Sequence, residues 1–283
     1  MRDLTLYRKT LVQQRAQDIC RLQKVLETAN VKLSAVASDV TGASGRQMLE
    51  AIVREEGTPE TLAELAKGRL RAKIPALRLA LDGRVQAYHR FLIHEILEHI
   101  AYLERTIHRA EVAIAEQMAA HTTAAQLLAT LPAAGPTSIA AILGEIGTDM
   151  TRFASADHLA SWAGLCPGNK VSAGKRLSGK ATHGNKYLRS MLCELAWTIV
   201  PTPGTYLYAQ FHRLARRRGK NRAILAVAHS LLISIYHMLR DHRSYHELGA
   251  DYFARLDAEH IERRYVRQLE QLGYEVQLTK VAS

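Results

Sequence analysis

The sequence predicts a mainly α-helical chain: a long helical hairpin or coiled coil, then a helical domain containing a helix-hairpin-helix element, with a short strand near the C-terminus. Three observations carry this. Apolar residues recur three and four apart at the N-terminus and again over about 85–118, the texture changes after Leu131-Pro132, and one late stretch alternates with period two.

In chain order, Leu4, Leu11, Ile19, Leu22 and Leu26 line one face of an amphipathic helix. No Ser, Thr, Asn or Pro precedes it as a cap, which suits a chain that starts inside a longer helix. The Ser- and Gly-rich stretch 31–45 breaks the pattern, Thr58-Pro59-Glu60 reads as a helix start and Gly68 as a stop. A long helix is then expected over Val85–Met118, with Ile93, Leu97, Ile100, Leu103, Ile107, Ala110, Ile114 and Met118 at near-heptad spacing. Two such helices fit an antiparallel hairpin, a coiled coil between protomers or ordinary bundle packing.

A boundary near residue 125 separates a helical connector, 1–125, from a second domain, 126–250, and a C-terminal helix and tail, 251–283. In the second domain LPAAGPTSIAAILGEIG looks like a helix-hairpin-helix element, Ser155 caps a helix that Gly164 stops, and Asn185 caps one over about 185–200. Helices follow at about 205–217 and 221–240, the latter with Ile224, Val227, Leu231, Ile235 and Leu239 on one face. Its apolar run, 223–239, holds 17 residues and two histidines, His229 and His237, and is short of the roughly 20 that a bilayer needs, so a buried bundle helix is expected. Asp257–Leu272 reads as another amphipathic helix and YEVQLTK as a short strand.

Composition narrows function. With 283 residues, 47% of them hydrophobic, the chain can bury a core without staples. Cys20, Cys166 and Cys193 form no C-x-x-C pair, which argues against a zinc site or disulfide scaffold, and no signal peptide is evident, so a cytoplasmic protein is expected. The net charge of +11 is localised: residues 168–222 hold 12 Lys/Arg against the single acid Glu194, while the remainder is balanced at 26 against 26. Concentrated positive charge is what a polyanion site needs, because each neutralised phosphate releases a counterion; a solvated basic face is the plain alternative.

Several motifs were weighed for chemistry. At Ala133-Ala134-Gly135 the N-terminus of a following helix, with Gly135 and Thr137, offers backbone N–H groups to a DNA phosphate, although the first glycine of the usual Gly-apolar-Gly turn is missing. A nucleotide P-loop is excluded, since Gly168 and Gly174 are one residue too far apart and Arg176 stands where Ser or Thr must be. His94 and His99 lie five apart and cannot form the i, i+4 pair of a zinc protease, so no metal site is expected. Ser172 sits among Lys170, Lys175, Arg176 and Lys180, cations that would hold a phosphate against its hydroxyl. By residue type Ser178 has equal standing, and a phosphate-contacting or capping serine explains either one. Lys186, Arg189, Arg216, Arg217, Arg218 and Lys220 complete the candidate nucleic-acid contacts.

The ordered blocks SIAAILGEIG, RFASADHLASWAGLCPGN, SAGKRLSGK, GNKYLRSML, RRRGKNRAILAVAHSLL and YHMLRD, from Leu131 to about Tyr245, closely resemble the C-terminal domain of bacterial insertion-sequence transposases that combine an Asp-Glu-Asp-Asp RuvC-like domain with a catalytic serine. The preceding region, with LYRKTLVQQRAQDICRLQKVLE, resembles their coiled-coil connector. The resemblance implies that Ser172, which follows Ala163-Gly164-Leu165-Cys166-Pro167, is the nucleophile that attacks a DNA phosphodiester, and that Lys175 and Arg176 bind the exchanging strand. It also implies DNA and a structured guide RNA as partners, a homo-oligomer through coiled-coil helices and no membrane. The family's four metal-binding carboxylates precede the connector and have no counterpart in this chain, so magnesium is expected only through an RuvC-like domain and an incomplete active site is expected here. Two other readings compete: a non-enzymatic helical DNA- or RNA-binding or oligomerisation protein that regulates an intact transposase, and a helix-hairpin-helix base-excision enzyme using Asp149 or Asp157.

Overall fold

The N-terminal periodicity produces one continuous helix, α1 (Arg2–Thr28), and the second long pattern produces α6 (Ala87–Met118) in this computed structural model. The structure describes residues 1–166, 170–172, 175–178 and 183–278, with the backbone alone for 170–178, 257, 259 and 260. The chain divides into two compact units, the first Asp3–Gln117 and the second Met118–Ser283.

In the first unit, α1 and α6 lie side by side. Arg8 reaches Glu111 at 2.6 Å, Arg15 reaches Glu104 at 2.8 Å and Asp18 meets His99 at 2.7 Å. Advancing along α1 is therefore retreating along α6, and the pair is an antiparallel hairpin within one chain. Asp18 is buried at the seam and accepts from both Arg21 and His99. Four short helices fill the far end between them: α2 (Leu33–Val36), α3 (Ala43–Val53), α4 (Pro59–Ala63) and α5 (Ile74–Leu81). Leu22, Leu26, Leu33, Met48, Leu49, Leu77, Ile93, Leu97 and Ile100 close one core there.

Three expectations are corrected. Along α6, Thr106 is buried and Ile107 only half-buried, because the Thr106 hydroxyl is satisfied by donating to the Tyr102 carbonyl at 2.9 Å. The helix started by Thr58-Pro59 ends at Ala63, and Gly68, at φ +57°, opens a 3-10 turn (Gly68–Lys73) instead of stopping a helix. Residues 274–278 of the YEVQLTK segment carry no regular structure, and Thr279 and Lys280 lie outside the described residues. Alternation makes a strand only where a neighbouring strand can pair with it.

The second unit is built around α12 (Lys220–Asp241), which is long and apolar enough to cross a membrane by composition yet buries Ile224, Val227, Leu231, Ile235 and Leu239 as the sequence pattern requires. Packed on it are α7 (Thr122–Leu128), α9 (Ala156–Trp162), α10 (Lys186–Ile199) and α11 (Tyr206–Arg218), while α8 (Pro136–Ile146) packs on α7 and α10. Ser155 caps α9 as read, its Oγ accepting from the His158 N–H, and Thr205 caps α11, its Oγ1 accepting from the Tyr208 N–H. The last helix, α13, begins at Tyr252, five residues before the expected start, and runs to Gln271. Stacking of Tyr252 and Phe253 on Tyr206 explains the earlier start.

Between α7 and α8 the turn needs a left-handed residue, and Ala133 takes it at φ +57°. That is the position where the usual turn has glycine. A Cβ there costs on the order of 1–2 kcal/mol, less the entropy that glycine loses on folding. Ala133→Gly is expected to stabilise the second unit by about 0.5–1 kcal/mol in urea denaturation. In the first unit, burial raises the Glu104 carboxyl, but hydrogen bonds and charge from Arg15 and Arg46 outweigh it and hold the group below its ordinary value of 4.5. The resulting stabilisation is complete above that value and is lost as pH falls through the lower, folded one. Glu104→Gln should cost roughly 1 kcal/mol at pH 7, with the difference from the parent closing as melts are taken toward pH 3.

Candidate nucleic-acid interface

The basic segment leaves the second unit after α9 and returns at α10, and its two ends are clasped together. Gly164, at φ +71°, turns the chain out of α9, and Gly184 lies against it so closely that a Cβ on Gly184 would come within 2.3 Å of the Gly164 nitrogen and 2.6 Å of the Trp162 carbonyl oxygen. The Asn185 N–H donates to that same carbonyl at 3.0 Å. Asn185 then works three ways: Oδ1 accepts from the Tyr187 and Leu188 N–H groups at 3.1 and 3.0 Å, capping α10, and Nδ2 donates to Glu145 Oε2 at 2.5 Å, tying the cap to the end of α8. The Glu145 side chain is 4% exposed, and its Oε1 has no hydrogen-bond partner among the described residues.

From this base the chain forms an antiparallel pair of strands, β1 (Lys170–Ser172) and β2 (Lys175–Ser178). Ser172 is paired with Lys175, Val171 with Arg176, and Lys170 with Ser178, with a register irregularity between Lys170 and Val171. Of the expected serine and cations, Ser172 and Lys175 are therefore cross-strand neighbours, the closest backbone relationship a sheet provides. Ser178 stands at the other end of the ladder paired with Lys170, so each candidate serine has a lysine as its cross-strand neighbour. Lys180 lies outside the described residues.

The remaining candidates fall into separate places. Lys186 is exposed at the first position of α10 and lies over the Tyr187 ring, and Arg189 is half-buried one turn on. Arg216, Arg217 and Arg218 are exposed at the end of α11, Gly219 turns the chain at φ +81°, and exposed Lys220 opens α12. Gly135 and Thr137 sit at the start of α8, where the Gly135 N–H is satisfied by Ser138 Oγ at 3.0 Å and a Cβ on Gly135 would meet nothing within 4 Å. Glu145, at the other end of α8, is the residue tied to the loop base, so the helix length of about 16 Å separates the turn from the base. The glycine turn and the basic hairpin are thus two patches.

Ion pairing distinguishes the two units. In the first, Arg8, Arg15, Arg46, Arg54, Arg78 and Arg90 each pair with a glutamate. In the second, none of Arg216, Arg217, Arg218 and Lys220 forms an ion pair among the described residues. Burial, with Asp157 nearby, pushes the Cys166 thiol up, burial pushes Cys193 up, and burial lowers His229 against the opposing pull of Asp157. Both thiols stay protonated at neutral pH.

Asp149, one of the acids of the base-excision reading, is engaged as a cap, its Oδ1 accepting from the Thr151 N–H and hydroxyl at 3.0 and 2.6 Å. Among the described residues no group of three His, Cys, Asp or Glu side chains comes together to hold a metal. The clasp itself was missed in the sequence: Gly164 and Asn185 were read as a stop and a cap, and nothing local announces that Gly184 must meet Gly164 or that Asn185 has a second partner.

Residues 125–211 match the family described as Transposase IS116/IS110/IS902 family. Similar curated proteins include an insertion element IS900 uncharacterized 42 kDa protein of Mycobacterium paratuberculosis, 31% identical over 159 residues that make up 55% of this chain and 39% of that protein. A pilin gene-inverting protein of Moraxella bovis is 34% identical over 126 residues, 43% of this chain and 38% of that one. An insertion element IS110 uncharacterized 43.6 kDa protein of Streptomyces coelicolor is 34% identical over 122 residues, 41% of this chain and 28% of that one. The aligned part of the chain spans well under half the length of these relatives.

The clasp predicts an asymmetry between two glycines. Gly184→Ala drives a methyl group into backbone and should cost about 2–4 kcal/mol, whereas Gly135→Ala, facing open space, should cost under about 1 kcal/mol; paired thermal melts of the two variants measure the difference.

Proposed function

We propose that the second unit is the nucleic-acid-handling part of a DNA transposition or site-specific recombination protein, with Ser172 as the nucleophile for phosphodiester attack. The observation that carries this is the hairpin register, which sets Ser172 across from Lys175 on a loop whose base is clamped. The transposase family that matches residues 125–211 and the gene-inverting relative support the reaction class.

The chemistry follows from the residue types. A phosphodiester bears negative charge on its non-bridging oxygens, and Lys170, Lys175, Arg176 and Lys180 would offset it as the serine oxygen approaches phosphorus. The new bond is serine oxygen to phosphorus, the bond broken is phosphorus to a deoxyribose oxygen, and the serine proton ends on the released sugar hydroxyl. Because the phosphoserine ester replaces one phosphoester by another, a second sugar hydroxyl can reverse the exchange onto a new strand. Magnesium has no ligand set among the described residues, so no step is assigned to it here. In the same reading, Arg216, Arg217, Arg218, Lys220, Lys186 and Arg189 bind backbone phosphates of DNA and of a guide RNA. Gly135 and Thr137 contact a further phosphate at the α8 start. A regulatory protein with no chemistry of its own would use the same cations and differ only at Ser172.

Binding and chemistry separate experimentally. Replacing Arg216, Arg217 and Arg218 together with alanine should weaken duplex binding at all sequences and lower the slope of log affinity against log salt by about 2–3, as for three lost phosphate contacts, in fluorescence anisotropy titrations. Ser172→Ala should leave that slope unchanged while abolishing any covalent protein–DNA adduct formed when an RuvC-like domain and magnesium are supplied. An unchanged slope for the triple variant removes the binding role, and an adduct that survives Ser172→Ala removes the nucleophile.

A further inference from the structure

Two large aromatic side chains stand in water at the foot of the basic hairpin. Trp162 is the last residue of α9 and is 43% exposed, and Tyr187 is the second residue of α10 and is 42% exposed. Neither lies on the faces that close the core of the unit, where α9 buries Leu159 and Ala160 and α10 buries Leu188, Leu192 and Leu195. The clasp holds the two together. The Trp162 carbonyl accepts from the Asn185 N–H at 3.0 Å, and Asn185 Oδ1 accepts from the Tyr187 N–H at 3.1 Å, so one residue fixes both backbones.

A tryptophan hides most of its surface when packing is all it does. Trp162 instead leans one side on Phe153, with ring centres 5.7 Å apart and planes inclined by 57°, and leaves much of the rest to solvent. At Tyr187 a cation lies beside the ring, with Lys186 Nζ 5.6 Å from its centre. A phosphate on that ammonium and a base on that ring are the two ends of a single nucleotide. Paired DNA offers no base face to a side chain, because its bases are stacked on one another, whereas an unpaired strand does. Cations alone accept any phosphate chain; exposed rings beside them favour single strands.

We propose that Trp162 and Tyr187 form a stacking platform for unpaired bases of the DNA strand handled at the hairpin, with Lys186 holding the phosphate of the base on Tyr187. The inference rests on the reading of the basic hairpin as the strand-handling site, and it adds the state of the substrate: DNA is opened where it crosses the hairpin base. Every base has a face to stack, so the platform itself carries no sequence preference.

Fluorescence anisotropy on the full chain tests it, with an oligothymidine of about 15 nucleotides against a duplex of the same length. Trp162→Ala and Tyr187→Ala should each weaken oligothymidine binding by about tenfold and duplex binding by less than about threefold, at an unchanged salt slope because no phosphate contact is lost. Trp162→Phe and Tyr187→Phe keep an aromatic face and should stay within about threefold of the parent on both probes. In a Trp197→Phe chain Trp162 is the sole tryptophan, and its emission should be quenched by oligothymidine and not by duplex. Alanine variants that bind oligothymidine like the parent, losses equal on single strand and duplex, phenylalanine variants as weak as alanine ones, or unquenched Trp162 emission would each overturn the platform. An oligouridine run in parallel identifies the strand: a larger loss there than on oligothymidine assigns the platform to RNA and overturns it for DNA. Failure of the underlying reading looks different, because the parent then binds neither form with a salt-dependent affinity and both proposals fall together.

Discussion

The arrangement of the second unit depends on one close approach, the contact of Gly184 with Gly164 beneath the Asn185 to Trp162 hydrogen bond. A loop of this size, rich in lysine, would by itself sample many conformations, since charge repulsion and backbone entropy both oppose order. Joining its ends removes much of that freedom at a single place. It also fixes where the strands β1 and β2 emerge relative to α9 and α10, so that a local backbone contact determines where positive charge is presented. Only a residue without a side chain fits at 184, which explains why a structural requirement and a proposed functional one coincide in one short segment.

The arginines of the α1–α6 seam and those of the α11–α12 corner differ in their pairing. In the first, guanidinium groups are matched by glutamates along and beyond the α1–α6 seam, and the pairing holds two long helices in register, with buried Asp18 shared between Arg21 and His99. Such exposed pairs contribute little energy each, but they neutralise the surface. Among the described residues Arg216, Arg217 and Arg218 at the α11–α12 corner form no ion pair, whereas Arg240 and Arg255 of the same unit pair with Asp241 and Asp251. Composition alone leaves a solvated basic face and a polyanion site equally tenable; the contrast in pairing favours the second.

Local signals were legible and long-range ones were not. Ser155 and Asn185 cap helices because side-chain oxygens find N–H groups two or three residues away, a relationship written entirely in neighbouring residues. The periodicity of Leu22, Leu26, Ile93 and Leu97 likewise reported burial, and the intrachain hairpin was one of the arrangements it allowed. The family resemblance singles out Ser172, where residue type alone could not separate it from Ser178 and the register sets a lysine opposite each of the two. What escaped was everything set by tertiary contact: the early start of α13 on the Tyr206 ring, the role of Thr106, the missing partner for the alternating tail, and the link from Asn185 to Glu145. The lost glycine at position 133 was visible, but only the backbone shows that alanine there occupies the left-handed region.

The central position of α12 has a mechanical consequence. Four neighbours, α7, α9, α10 and α11, rest on the same helix, so none of them can detach without exposing leucines and isoleucines that the others also need. The unit behaves as one cooperative block, and the loop is mounted on the part of the chain least able to fray.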